Sequence, residues 1–179
     1  QFVKSYLPIW EVAEKLNRGL KISDSMEYTE KDYDSVIRSI YESIELPRRH
    51  TKESAGYDFI FPYGYTVITP GDSIIIPTGI KCEIATGWCM MIHPRSSLGL
   101  NYRLQLDDTI SVIDADYYNN KANEGNIVIK ITNDSKIPDN NVSLNIGDHF
   151  CQGIFIQYGL TIDDTVQTER IGGMGSTNG

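Results

Sequence analysis

YTVITPGDSIIIPTGIKCEIATGWCMMIHP, residues 65–94, is built from short apolar or alternating runs (YTVITP, SIIIPTGIKCEIA, WCMMIHP) separated by turns rich in Gly, Pro and Asp. β-Branched and aromatic residues recurring two apart place one face on a core and the other toward solvent, which is the period of a strand. The same pattern continues downstream in NIVIKIT, 126–132, and HFCQGIFIQ, 149–157. Strand-like runs at intervals of about ten residues, punctuated by turn formers, predict an all-β sandwich or barrel. No repeat or linker interrupts it.

Upstream the spacing changes. Residues 1–33 carry a helical pattern, with Pro8 near a helix start, Ile9, Trp10, Val12, Ala13 and Leu16 on one face, and Gly19 as a stop. A short N-terminal α-helical extension is therefore expected ahead of the β body. A chain of 179 residues is long enough for one domain with such an appendage.

Charge and cysteines narrow the function classes. A net charge of −8 and a pI near 4.8 argue against nonspecific binding to nucleic acid or to an anionic membrane, since both need a basic face. Cys82, Cys89 and Cys151 form no CxxC pair and are odd in number, so neither a zinc knuckle nor a disulfide framework is expected. With no membrane-length apolar run and no leader, the expectation is a soluble protein of the reducing cytoplasm. His50, His93 and His149 are scattered, with no ligand spacing between them.

The last ten residues, RIGGMGSTNG (170–179), combine a cation, glycines and hydroxyls. Glycines free the backbone to turn its NH groups on anionic oxygens, and Arg170, Ser176 and Thr177 add side-chain donors, so the string suits a lid over a polyphosphate. Four strings precede it in order: SAGYDF (54–59), HPRSSLG (93–99), SVIDADYYNN (111–120) and GDHFCQGIF (147–155). Together the five resemble the motifs of the homotrimeric deoxyuridine triphosphatases (dUTPases), over a span from about Ile37 to the C-terminus. YYNNKANEG, 117–125, is similar to the form found in Gram-positive bacteria and their phages.

The resemblance implies a distorted jelly roll over 34–169, closed by a lid of 170–179, that hydrolyses dUTP to dUMP and pyrophosphate. Anhydride hydrolysis needs a water aligned with the leaving group and an acceptor for its proton, and a carboxylate at a strand end meets both needs. The resemblance gives that role to Asp114. It also implies that Tyr117 packs on the deoxyribose and excludes a 2′-hydroxyl, while residues 113–128 form the base pocket. Arg95 and Ser96 would contact the phosphate chain and Gln152 the nucleotide. Arg170, Met174, Gly175, Ser176 and Thr177 would close over it. Asp58 would reach Mg2+ through water, the ion being held chiefly by phosphates. Asp116 is read as structural. The trimer implied is one in which the tail of one subunit covers a site shared by others.

Two positions depart from the pattern: Met174 stands where the family has a stacking phenylalanine, and Ser111 where it has glycine. Between Thr29 and Pro47, TEKDYDSVIRSIYESIELP reads as an amphipathic helix with a capping box at Thr29 and Asp32. The resemblance instead places a first strand near Val36–Glu42, which the β-branched Val36, Ile37 and Ile40 permit, and the strand is the expectation. Two rival functions remain. A dCTP deaminase shares the PRSSL string but needs a Glu three residues before Asn133, where Lys130 stands, and lacks the glycine-rich tail. A regulatory nucleotide-binding protein could use residues 1–33 to hold a repressor or other partner.

Overall fold

The computed structural model describes residues 1–5, 30–168, 170 and 172. Alternation sets the sheets. In β9 (Val128–Asn133) Ile129, Ile131 and Asn133 point inward and Lys130 outward. That strand lies between β4 (Ser73–Pro77) and β7 (Leu104–Leu106). A four-stranded sheet runs in the order β2 (Tyr57–Ile60), β11 (His149–Gln157), β6 (Trp88–Pro94), β8 (Ser111–Ile113). Two further pairs join β3 (Tyr65–Ile68) to β10 (Val142–Asn145), and β1 (Phe2–Lys4) to β5 (Ile80–Cys82).

All these pairings are antiparallel. The sheets wrap one core of Phe59, Ile68, Ile76, Met90, Ile92, Ile129, Ile131, Leu144 and Phe150. Each such side chain contributes about 1.5–3 kcal/mol when buried. The all-β jelly-roll class is thus the observed one.

The N-terminal region departs from expectation in two places. Phe2–Lys4 is a strand, not part of a helix: Phe2 pairs with Cys82 and Lys4 with Ile80. The Phe2 ring meets Tyr57 at 5.3 Å, Phe155 at 5.8 Å and Phe59 edge-on at 5.9 Å. The helix expected around Ile9–Leu16 lies outside the described residues.

The preference for a strand at Val36–Glu42 is also overturned, because Glu30–Ser43 forms a helix, α1, in which the 33/34 division falls. The 3.6-residue spacing prevails over β-branching here, since β-branched residues lose only a few tenths of a kcal/mol in a helix. Ile44, just past its end, is buried in the core. Lys4 Nζ donates to the carbonyls of Tyr41 at 3.1 Å and Glu42 at 2.9 Å. A cation there satisfies C-terminal carbonyls that have no partner within the helix and opposes the negative end of its dipole.

Asn133 closes β9 from within. Its side chain is fully buried, and Nδ2 donates to the carbonyls of Ile68 and Asn140, each at 2.9 Å. Its Oδ1 accepts from Ser135 N at 3.1 Å. Asn133→Ala strips three partners in a dry site, so a stability loss of about 2–4 kcal/mol is expected in urea unfolding. A loss under about 0.5 kcal/mol, the range of an ordinary surface change, contradicts this account.

Candidate active site

β8 ends at Ile113, and the chain turns at once into a short 3-10 turn, Ala115–Tyr117. Asp114 sits between them with extended backbone, and its side chain makes no capping hydrogen bond to that turn. The carboxylate instead accepts from Arg170 Nη2 at 2.5 Å. Arg170 Nε donates at 2.8 Å to Asp116, and the guanidinium lies 5.8 Å from the Tyr117 ring centre. Asp116, read from sequence as merely structural, is therefore the second carboxylate that holds Arg170. Its partner lies 54 residues away, beyond the reach of any local motif.

Tyr117 is buried, its hydroxyl donating to Asn126 O at 3.0 Å and accepting from Asn123 Nδ2 at 2.7 Å. Burial pushes its ionisation up, against the opposing pull of Asn123 and Arg170. The following loop is held by side-chain amides: Asn120 Oδ1 accepts from Ala122 N and Asn123 N, and Asn123 Oδ1 from Gly125 N. Gly125 adopts φ +81°, and a Cβ there would lie 2.7 Å from Tyr117 O. Glycine is the residue that fits. Beside it Asn126 is 1% exposed, and neither polar atom of its side chain has a partner. A buried amide without partners costs several kcal/mol. Sequence reasoning passed over it, since only burial gives it away.

A second group of side chains gathers on β2 and β11. Asp58 N donates to Arg48 O at 3.0 Å, which lays the preceding loop along β2 and brings His50 to Asp58. Asp58 Oδ2 accepts from Arg95 Nη1 and lies 3.2 Å from both His50 Nε2 and His149 Nδ1. Gln152 pairs across the sheet with Asp58 and His93, hence on the same face. Ser96 opens the seven-residue helix α2, Ser96–Tyr102, directly after Arg95. The histidines that seemed scattered in sequence are thus two-thirds assembled, with the His50 and His149 rings 4.8 Å apart.

The two groups do not meet within one chain. Ile113 pairs with Met90, so Asp114 lies level with Cys89, whereas Arg95 follows the other end of β6. Six residues of strand separate those levels by roughly 20 Å. Met174, Gly175, Ser176 and Thr177 lie outside the described residues. Ser111, standing for the expected glycine, is accommodated by donating its hydroxyl to Asp108 at 2.6 Å. Lys130 is exposed and pairs with Asp107 at 2.5 Å, so no carboxylate stands where a deaminase needs one.

Comparison with known proteins bears on the family. The sequence profile described as dUTPase matches residues 42–177. The deoxyuridine 5′-triphosphate nucleotidohydrolase of Lactococcus lactis is 37% identical over 136 residues, 75% of this chain and 88% of that one. The dUTPase structure from Streptococcus mutans superposes with a TM-score of 0.58 at 36% identity, covering 67% of this chain and 90% of the other. The dUTPase of Staphylococcus bacteriophage 80alpha shares the fold, with a TM-score of 0.58 at 19% identity over 72% of this chain and 93% of that one. A profile spanning most of the chain, over the ordered strings that build both clusters, places the chain in the dUTPase family, whose members hydrolyse dUTP to dUMP and pyrophosphate.

Proposed function

We propose that the active site is composite, with Asp114 and Tyr117 of one subunit facing Arg95, Ser96 and Gln152 of another in a homotrimer. The observation that carries this reading is the separation of the two clusters along β6. Neither half is complete alone: one has a carboxylate and a nucleoside pocket, and the other has the phosphate donors. A closed ring of copies joins such halves by symmetry.

In this reading Asp114 takes the proton of the attacking water. An incoming triphosphate competes for Arg170, and transfer of that guanidinium to phosphate oxygens frees Asp114 for the water. Met174, Gly175, Ser176 and Thr177 follow Arg170 over the nucleotide, a thioether serving where a ring stacks in relatives. Tyr117, anchored through its hydroxyl, presents a fixed ring edge to the sugar and leaves no room for a 2′-hydroxyl. Backbone groups of residues 113–128 read the uracil edge.

Mg2+ fits here only as a partner of the substrate. Asp58 is the one hard oxygen donor among two imidazoles and a guanidinium, which suits a water-mediated contact and not direct ligation of an ion that prefers oxygens. Bound with the triphosphate, the ion neutralises developing charge on the phosphates. A phage dUTPase of S. aureus phage phi11 is described as coordinating a structural Mg(II) ion.

Three buried free cysteines agree with a cytoplasmic setting, and among the described residues no helix is long and apolar enough to cross a membrane. A partner-binding role beside catalysis is the second reading. Phage 80alpha dUTPase is described as controlling transfer of virulence genes by a G protein-like mechanism. Here β1 and most of α1 lie outside the matched segment and offer surface that catalysis does not need.

Three measurements follow. Pyrophosphate release is expected from dUTP and not from dTTP, dCTP or UTP, with ammonia release from dCTP the contrary result. Asp114→Asn is expected to bind nucleotide and lose turnover by about 100-fold or more, the usual share of general-base catalysis. A kcat within about threefold, worth under roughly 1 kcal/mol of barrier, removes Asp114 from that role. Refolding an equimolar mixture of Asp114→Asn and Arg95→Ala chains should restore up to about a quarter of wild-type activity, because random cyclic assembly leaves that share of composite sites intact. No recovery in a mixture shown to have exchanged subunits argues for sites within single chains.

A further inference from the structure

The two imidazoles gathered at Asp58 have no part in the hydrolysis proposed above. We propose that His50, Asp58 and His149 form a binding site for a borderline transition-metal ion, Zn2+ or Co2+, distinct in donor type from any magnesium site. The three ligand atoms lie within 4.8 Å of one another, and both imidazole nitrogens are 3.2 Å from the same carboxylate oxygen. Ligand atoms around tetrahedral zinc stand about 3.3–3.5 Å apart, given metal–ligand lengths of about 2.0–2.2 Å. Two of the three spacings therefore need almost no adjustment, and the third closes by roughly 1.5 Å at most. Two nitrogens and one oxygen suit zinc or cobalt and not magnesium.

Local order favours the site. His149 opens β11 at the register shift before Cys151, and Asp58 is fixed in β2 with its side chain only 10% exposed. His50 is 44% exposed, which gives the ion a way in and leaves a fourth position open to water. His149 Nδ1 faces the cluster, 3.3 Å from Arg95 Nη1 and 3.2 Å from Asp58 Oδ2, and offers an ion its lone pair in the tautomer protonated at Nε2.

The same contact names the competitor. Arg95 holds both the Asp58 oxygen and the His149 nitrogen that the metal takes, so ion and guanidinium occupy the cluster alternately. Metal binding releases Arg95 from its seat. Zinc is expected to slow dUTP turnover through this displacement, a result that bears on regulation and is independent of the binding test.

The test is a Co2+ titration of the untagged protein in buffer free of magnesium and chelator. A visible ligand-field band that saturates near one equivalent and disappears on adding Zn2+ is expected. His50→Ala should weaken cobalt binding by roughly tenfold or more, since even outer partners of a metal are worth that much. His50→Ala/His149→Ala should abolish the band, while His93→Ala, the remaining histidine, leaves it intact. Absence of the band in the wild type, or an unchanged affinity in His50→Ala, overturns the proposal. His50 is an exposed loop residue, so its variant tests the site without burdening the fold.

Discussion

The pairing of β6 with β11 is the constraint on which the rest of the molecule depends. Seven consecutive residue pairs, from Cys151 opposite Pro94 to Gln157 opposite Trp88, lock the two strands in one register. A slip of one residue would turn Met90 and Ile92 to solvent, so burial enforces the alignment. Gly153 shows how tight the fit is: a Cβ there would stand 2.5 Å from Met90 Sδ and 3.2 Å from the Phe59 ring. From this ribbon β2 and β8 take their places on either side. The length of β6 then fixes the distance between the carboxylate end and the arginine end.

The N-terminal residues are tied to this body by means that no single motif records. Phe2 enters an aromatic group with Tyr57, Phe59 and Phe155, all three on strands of the main sheet. Two residues on, Lys4 seals the end of α1. One three-residue strand thus fastens a helix to a sheet, through apolar contact on one side and charge on the other.

What could be read in advance follows physical range. Alternation such as that of Ile129, Lys130 and Ile131 is a property of neighbouring residues, and so the strands and the all-β class were legible. The ordered strings that include Arg95, Asp114, Tyr117 and Gln152 were legible for the same reason. β1 was not, because its partner lies about eighty residues away and three residues carry no period of their own. α1 was not legible because Val36, Ile37 and Ile40 are compatible with strand and helix alike. Asp116, Asn126, and the meeting of His50 with His149 depend on tertiary proximity and on burial. Composition cannot express either.

Arg170 bridges Asp114 and Asp116 while lying over Tyr117, with its side chain only 12% exposed. On the reading proposed above, this makes the tail an intramolecular competitor of the substrate. The apparent dissociation constant is then the intrinsic one divided by the fraction of time the seat is vacant. Ionic strength screens the half-exposed carboxylates of this latch, whose side chains are 47% and 56% exposed. It also screens the attraction between arginine and triphosphate. Because both arms of the competition are ion pairs on one guanidinium, salt weakens latch and capture together, and substrate affinity is buffered against changes in the ionic medium that would erode a single unopposed contact.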